Sequence, residues 1–398
     1  MPRPPRSSTS AQGLSDRVYG ALLDEALRRA GPTHLLNVGD TYLEPLPGAR
    51  AEAQLSSVHP RLHNYASVQG ERALLDAIVA RVERVHGVRL ERSKLQVMSG
   101  ATGGFTVVAN SILEPGDEVV LLSPFWPLIR GIVRSRSATA VELPFYTRLE
   151  DPSFDVEREL ASVITDRTVA IYVNTPNNPT GRCLPLPVVD AIARVVRGQN
   201  LWLLCDEAYE ELWYTPERPA AIWTRPDLRE HAIVCHTLSK SYALAGARLG
   251  FTHGPPDVMA TIRGAQTFLT YCAPRPLQLG GAHALNEGEG WLEEARLLYR
   301  TAAKKAARTL RLPEPEGGTF LFFDAARYFA PGEDIQGFLR RCLDAGVLLT
   351  PGAASGRHFE NFARLCYTVV PPAELDDALL RLERVLSSTV TGGPSDRA

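Results

Sequence analysis

Lys240 stands among small hydroxyl residues, in Thr237-Leu238-Ser239-Lys240-Ser241, just after an apolar run from Ala232 to Cys235 that reads as a buried strand. An amine at the carboxyl end of such a strand sheds its proton more easily than one in water, so Lys240 could form a Schiff base. A solvated surface lysine is the plainer alternative. Other reactive residue types also sit where strand-like runs end. Leu95 to Met98 leads into Gly100-Ala101-Thr102-Gly103-Gly104 and then an apolar helix; the bare N–H groups of such a turn suit a phosphate. Trp126 follows a buried run that begins near Val119, where an aromatic side chain either stacks on a flat ring or fills the core. Asp206 and Glu207 close the run Leu201 to Cys205. Either is a plausible helix cap; Glu207 is expected in solvent, and Asp206 could instead face a ring nitrogen and keep it protonated. Arg364 lies between apolar residues in Phe362 to Tyr367, and an enclosed guanidinium requires an anion, either a structural ion-pair partner or a ligand.

These residues need a scaffold that gathers strand ends. Leu201 to Cys205 is continuously apolar, as in parallel strands covered on both faces. It alternates with helical stretches and with Leu95–Met98, Val119–Val120, Val169–Asn174 and Ala232–Cys235, which predicts an α/β protein with a mostly parallel sheet flanked by helices. Helical spacing over Leu14 to Ala30 ends at Gly31-Pro32, and Leu35 to Asp40 reads as a short strand opening into a loop. Trp291 to Leu310 predicts a long amphipathic helix, followed by strand, helix, strand, helix. The expected division is a tail and arm over 1–45, a large domain over 46–285 and a smaller α+β domain over 286–398.

Composition narrows the classes. The chain has 398 residues, 44% hydrophobic and 22% charged, with a formal net charge of −2, which points to neither nucleic acid nor an acidic membrane surface. Six scattered cysteines without a CxxC pair read as reduced thiols of a cytoplasmic protein, and no metal-ligand cluster is apparent. The basic, Pro/Ser-rich first dozen residues lack an apolar core segment and read as a disordered tail rather than a signal.

The stretch from Thr237 to Gly250, with Ser239-Lys240 and then Arg248-Leu249-Gly250, resembles the lysine segment of the class I/II pyridoxal-phosphate (PLP) aminotransferases of fold type I. Further segments match the family in order across most of the chain. The resemblance implies that Lys240 carries PLP, that Asp206 meets its pyridine nitrogen and that Trp126 stacks on its ring. It gives Ala101 and Thr102 to the cofactor phosphate, and counts Gly100, Thr237, Ser239 and Arg248 among the residues that bind the cofactor. Asn178, in Asn177-Asn178-Pro179-Thr180-Gly181, and Tyr209 would contact the cofactor's phenolic oxygen, and Asn178 also the substrate carboxylate. Gly39 would lie against the substrate, although the segment taken alone reads better as a plain strand-turn; Arg364 would grip the α-carboxylate through its planar fork. Tyr65 would reach the partner's phosphate across a homodimer with shared active sites, where an exposed loop tyrosine is the plainer reading. One departure is Ala354-Ser355-Gly356, where the family carries an aromatic; its absence is expected to widen the pocket.

The expected activity is transfer of an amino group from an amino acid to a 2-oxo acid. Two alternatives share the fold: elimination, cyclisation, decarboxylation or oxidation of an amino acid on the same cofactor, and a PLP-sensing transcription regulator. The regulator needs a DNA-binding module, and the 45 or so residues before the fold predict one helix and no helix-turn-helix pair.

Overall fold

The computed structural model describes residues 8–12, 14, 18, 22–54 and 62–387. Most of the expected N-terminal tail, and much of the helix expected over Leu14 to Ala30, lie outside these residues; the described part of that helix is Leu23–Arg28. In chain order the strands are β1 (His34–Leu35), β2 (Leu95–Met98), β3 (Glu118–Ser123), β4 (Thr139–Pro144), β5 (Thr168–Asn174) and β6 (Trp202–Asp206). They continue with β7 (Ala232–Thr237), β8 (Gly250–His253), β9 (Phe320–Asp324), β10 (Val347–Leu348), β11 (Thr350–Pro351) and β12 (Phe362–Cys366).

Seven strands form one sheet in the order β2-β8-β7-β6-β5-β3-β4. Neighbours from β7 to β4 run parallel, whereas β8 is antiparallel to both β2 and β7. The two-residue period of a strand divides its side chains between two cores. Val119, Leu121, Tyr172 and Leu204 pack with the helices Gly100–Ile112 and Pro256–Leu269 on one face. Val120, Leu122, Val173 and Leu203 pack on the other, against Arg72–His86, Leu186–Gly198 and Arg275–Glu287. Both faces are therefore dry, which is why these strands are apolar at every position and not at alternate ones.

The helix Glu289–Leu310 leads to a second unit, where β9, β11 and β12 form an antiparallel sheet in the order β11-β12-β9. Helices Ile335–Asp344 and Pro372–Ser387 complete its core. The strand expected over Leu35 to Asp40 is shorter than its apolar pattern suggests: β1 pairs in parallel with β10 for only two residues. Beyond it the backbone of residues 37–40 is bonded to side chains instead, as described below. That pairing attaches the supposed arm to the C-terminal unit. We propose that the remaining division, near residue 285, stands.

Candidate active site

The carboxyl ends of parallel strands are where open α/β sheets present ligand groups, and β5, β6 and β7 end here side by side, with Asn174 opposite Asp206 and Asp206 opposite Cys235. Past β7, the Thr237 hydroxyl caps the one-turn helix Leu238–Ser241 by accepting the Ser239 N–H at 3.2 Å. This turn places Lys240 so that its ammonium crosses the cavity and donates to the carbonyl of Gly39. Burial lowers the Lys240 pKa, and the negative charge of Asp40 opposes that shift in part.

Asp206 is 4% exposed. Its carboxylate accepts from the Tyr172 hydroxyl and from the Ala208 N–H at 3.1 Å. Burial raises its pKa to about 6, with those two hydrogen bonds pulling it down again. Asn174 bridges inward: its Nδ2 donates to the Asp206 carbonyl at 2.9 Å, and its Oδ1 accepts the Asn178 N–H at 2.6 Å. Tyr209 is buried edge-on to Phe320, and burial raises its phenol pKa while Arg364 lowers it. The expectation that Glu207 is solvated is wrong. It is 3% exposed, since the turn after β6 tucks beneath the sheet beside Glu210 and Arg218, and burial followed by the Glu210 charge raises its pKa.

The helix Gly100–Ile112 begins without a side-chain cap, so its first N–H groups remain available to an anion. Gly100 has a φ of +74°, and a Cβ there would stand 2.9 Å from Arg248 Nη2. The left-handed φ favours glycine here, and the missing side chain leaves room for this guanidinium over the helix end. Arg248, itself left-handed at φ 53°, is held by the Ala245 carbonyl at 2.8 Å. Ala101, Thr102, Thr237 and Ser239 complete this cup.

Arg364 lies on β12 opposite Phe322 and is 2% exposed. Its Nη1 donates to Asn178 Oδ1 at 3.1 Å and its Nη2 to the Asn37 carbonyl at 2.9 Å. Its guanidinium carbon lies 4.2 Å from the centre of the Phe320 ring. The same ring fixes Gly39, where any Cβ would fall 2.4 Å from Phe320 Cζ.

Every expected site residue except Gly100 and Tyr65 lines a single cavity of about 200 Å³. Gly100 supports it from behind Arg248. Tyr65 is 81% exposed outside this cavity, its ring edge-on to Tyr271 at 5.1 Å. Val38, Leu128, Asn174, Ala208 and Phe320 line the cavity although their residue types carried no chemical signal. Asn174 was the findable one, as a polar residue ending an apolar strand. The Ala354-Ser355-Gly356 turn does not line the cavity; its Ser355 carbonyl accepts the Phe125 N–H at 3.0 Å.

The chemistry of the lining suits PLP: an uncapped helix end with an arginine for a dianion, a buried carboxyl for a ring nitrogen, an aromatic side chain, and an amine. Sheet order and site together define a fold-type-I PLP enzyme. The sequence model of class I and II aminotransferases matches residues 33–382, and the chain belongs to that family. It is 31% identical over 343 residues to the arginine–pyruvate transaminase of Pseudomonas aeruginosa, covering 83% of this chain and 84% of that one. It is likewise 31% identical to the aspartate/prephenate aminotransferase of Thermus thermophilus, covering 81% and 83%. Among solved structures, aspartate aminotransferase from Rhizobium meliloti superposes with a TM-score of 0.88 at 24% identity, covering 96% of this chain and 99% of that one. The Thermus thermophilus enzyme with maleate gives 0.86 at 26%, covering 96% and 100%. The protein is thus a PLP-dependent aminotransferase that moves an amino group between an amino acid and a 2-oxo acid. Among the described residues no helix is long and apolar enough to cross a membrane, and no side-chain cluster fits a metal ion.

Proposed function

We propose that Lys240 holds PLP and then moves the proton at the substrate Cα, while Arg364 and Asn178 fix the substrate carboxylate. The observation that carries this reading is the convergence of Lys240, Asp206 and Arg364 on one cavity. Bound there, PLP supplies an electron sink; everything else falls to the protein. Asp206 and Trp126 hold the ring, and Thr102, Ser239 and Arg248 hold the phosphate. Tyr209 and Asn178 donate to the phenolic oxygen. Gly39 keeps Lys240 beside the cavity, and the lowered Lys240 pKa favours the neutral amine that a base requires. The test is a half-reaction of the PLP form with a panel of amino acids, following pyridoxamine phosphate and identifying the organic product. A 2-oxo acid is expected; an alkene, an amine or a cyclic product would replace this reading with another PLP chemistry.

Arg364→Lys keeps the charge and loses the fork. A charge-assisted hydrogen bond is worth about 1.5–3 kcal/mol. The amino-acid concentration needed for the half-reaction should therefore rise about ten- to hundredfold, with PLP retained. Primary amines without a carboxylate should be hardly affected. Equal losses for amines and amino acids would make Arg364 structural.

The enzyme is further proposed to be a cytoplasmic homodimer with shared sites. Tyr65 and Phe268, at 81% and 92% exposure, together with the exposed Leu269 and Tyr271, offer apolar side chains to a second copy. All six cysteines are free, and five are buried, in keeping with a reducing compartment. In this reading Tyr65 donates a hydrogen bond to the phosphate bound by the partner. Mixed after dissociation, Lys240→Ala and Tyr65→Phe proteins should form heterodimers in which one site carries both changes and the other neither. Activity should exceed the sum of the parents. An active monomer in light scattering would end the proposal.

A further inference from the structure

Four formally charged side chains line the cavity: Asp206, Lys240, Arg248 and Arg364. The roles proposed above commit all four, to the ring nitrogen, the Cα proton, the phosphate and the α-carboxylate. Among the described residues of this chain no charged lining group is left for a substrate side chain. Of the apolar lining residues without one of these roles, Ala208 and Phe320 pack into the core of the C-terminal unit, which leaves Val38 and Leu128. Val38 precedes the Gly39 carbonyl that receives Lys240, and it is 45% exposed. Leu128 lies in the first turn of the helix Pro127–Ser135, two residues after Trp126, and is half-buried. Neither belongs to any of the hydrophobic core clusters, and both line the cavity. The charged residues two positions beyond each have contacts of their own. Asp40 Oδ1 accepts the Thr41 N–H at 2.9 Å, and Arg130 pairs with Glu142 at 3.2 Å.

We propose that Val38 and Leu128 form the side-chain subsite, and that the amino donor carries an uncharged apolar side chain of about the size of leucine, methionine or phenylalanine. The inference rests on the amino-transfer reading and on its residue roles. A second charge brought into such a subsite would lose its water and gain no partner. A methylene group placed there brings only favourable burial, and pockets of this kind discriminate by about 10- to 200-fold per methylene.

The test uses the assembled holoenzyme, so that any group contributed by a second copy counts. Single-turnover half-reactions with leucine, methionine and phenylalanine should exceed those with aspartate, glutamate, arginine and lysine by at least about tenfold in rate over dissociation constant. A charged donor that equals or surpasses the apolar ones overturns the proposal. Non-reacting carboxylates separate this inference from the reading beneath it. By their shift of the visible spectrum, 4-methylpentanoate should bind about ten times more tightly than succinate. If it does so while no amino acid yields a 2-oxo acid, the amino-transfer reading falls and the apolar subsite stands. If succinate binds as well or better, the subsite is not apolar. Leu128→Lys should reverse that preference, and Val38→Lys, at a more exposed position, serves if the first variant does not fold. Failure of folded variants to gain any affinity for succinate would place both residues outside the subsite.

Discussion

Lys240→Ala is expected to fold, to bind PLP weakly and reversibly, and to carry out the half-reaction slower by on the order of 10⁴-fold. Both of its proposed tasks are lost together. Among the described residues no other lysine lines the cavity, and the guanidinium groups of Arg248 and Arg364 cannot stand in for an amine. Borohydride should fix the cofactor to the wild-type chain at residue 240 and leave the variant unlabelled, with the visible absorption changed accordingly. Circular dichroism and thermal unfolding of the cofactor-free proteins provide the control. The Lys240 side chain contributes one hydrogen bond, to Gly39, so its removal should cost about 1 kcal/mol or less. A variant that still holds its cofactor covalently would sink the assignment.

The second large effect concerns Asp206. Breaking a buried charged pair costs about 3–5 kcal/mol, so Asp206→Ala should slow proton exchange at Cα by some two to four powers of ten if the loss is felt fully in the transition state. Near-normal exchange would refute the role. Asp206→Asn is the sharper variant, because its amide oxygen can still accept the Ala208 N–H and its NH2 can donate to the Tyr172 hydroxyl oxygen while the charge is gone. The two variants should be comparably slow, but only Asp206→Ala offers the buried Tyr172 hydroxyl no polar group at this position. The cofactor-free protein offers a readout independent of turnover. The carboxyl pKa is raised from 3.8 to about 6, so the folded state holds a proton that the unfolded state has released between those values. Stability should therefore fall as pH rises from about 4 through 6, by up to about 3 kcal/mol from this group. Asp206→Asn should remove that slope and be the more stable apoprotein at pH 8. A protonated ring nitrogen opposite the carboxylate reverses the shift, because an opposite charge favours the ionised form. Loading the cofactor should accordingly flatten the pH dependence of the wild-type protein.

Much of this was legible in the sequence because parallel strands announce themselves. A run such as Leu201 to Cys205 is apolar at every position, and the first polar residue after it, Asp206, is delivered to the sheet's carboxyl edge. The same logic located Lys240 and Thr102, and a resemblance assigned their partners. What stayed hidden was made of ordinary groups whose value lies in where the fold brings them. The carbonyls of Asn37 and Gly39 belong to a stretch that reads as strand, yet the chain leaves its two-residue ladder there and offers those oxygens to Arg364 and Lys240. Phe320 looks like core in any periodicity, but it faces both the guanidinium of Arg364 and the backbone of Gly39. Glu207 was misjudged because burial of a carboxylate depends on neighbours such as Arg218 that arrive from elsewhere in the chain.

The segment following β1 has a bearing on how the enzyme comes into being. Its carbonyls at Asn37, Gly39 and Asp40 are satisfied by side chains 327, 201 and 328 residues further along. Synthesis at about 5–20 residues per second separates Asn37 from Arg364 by roughly 15–65 s. The helix end at Gly100, Asp206, Lys240 and Arg248 are all made well before β12. Contacts of such long range close late, because their loop entropy must be overcome before they stabilise anything. A chain still on the ribosome could therefore hold the proposed phosphate cup and lysine before Arg364, the proposed grip on the amino-acid carboxylate, has been made. On the roles proposed above, the groups that would hold the cofactor precede in synthesis the one that would hold the amino acid, which waits for the C-terminal unit to close onto the residues made at the start.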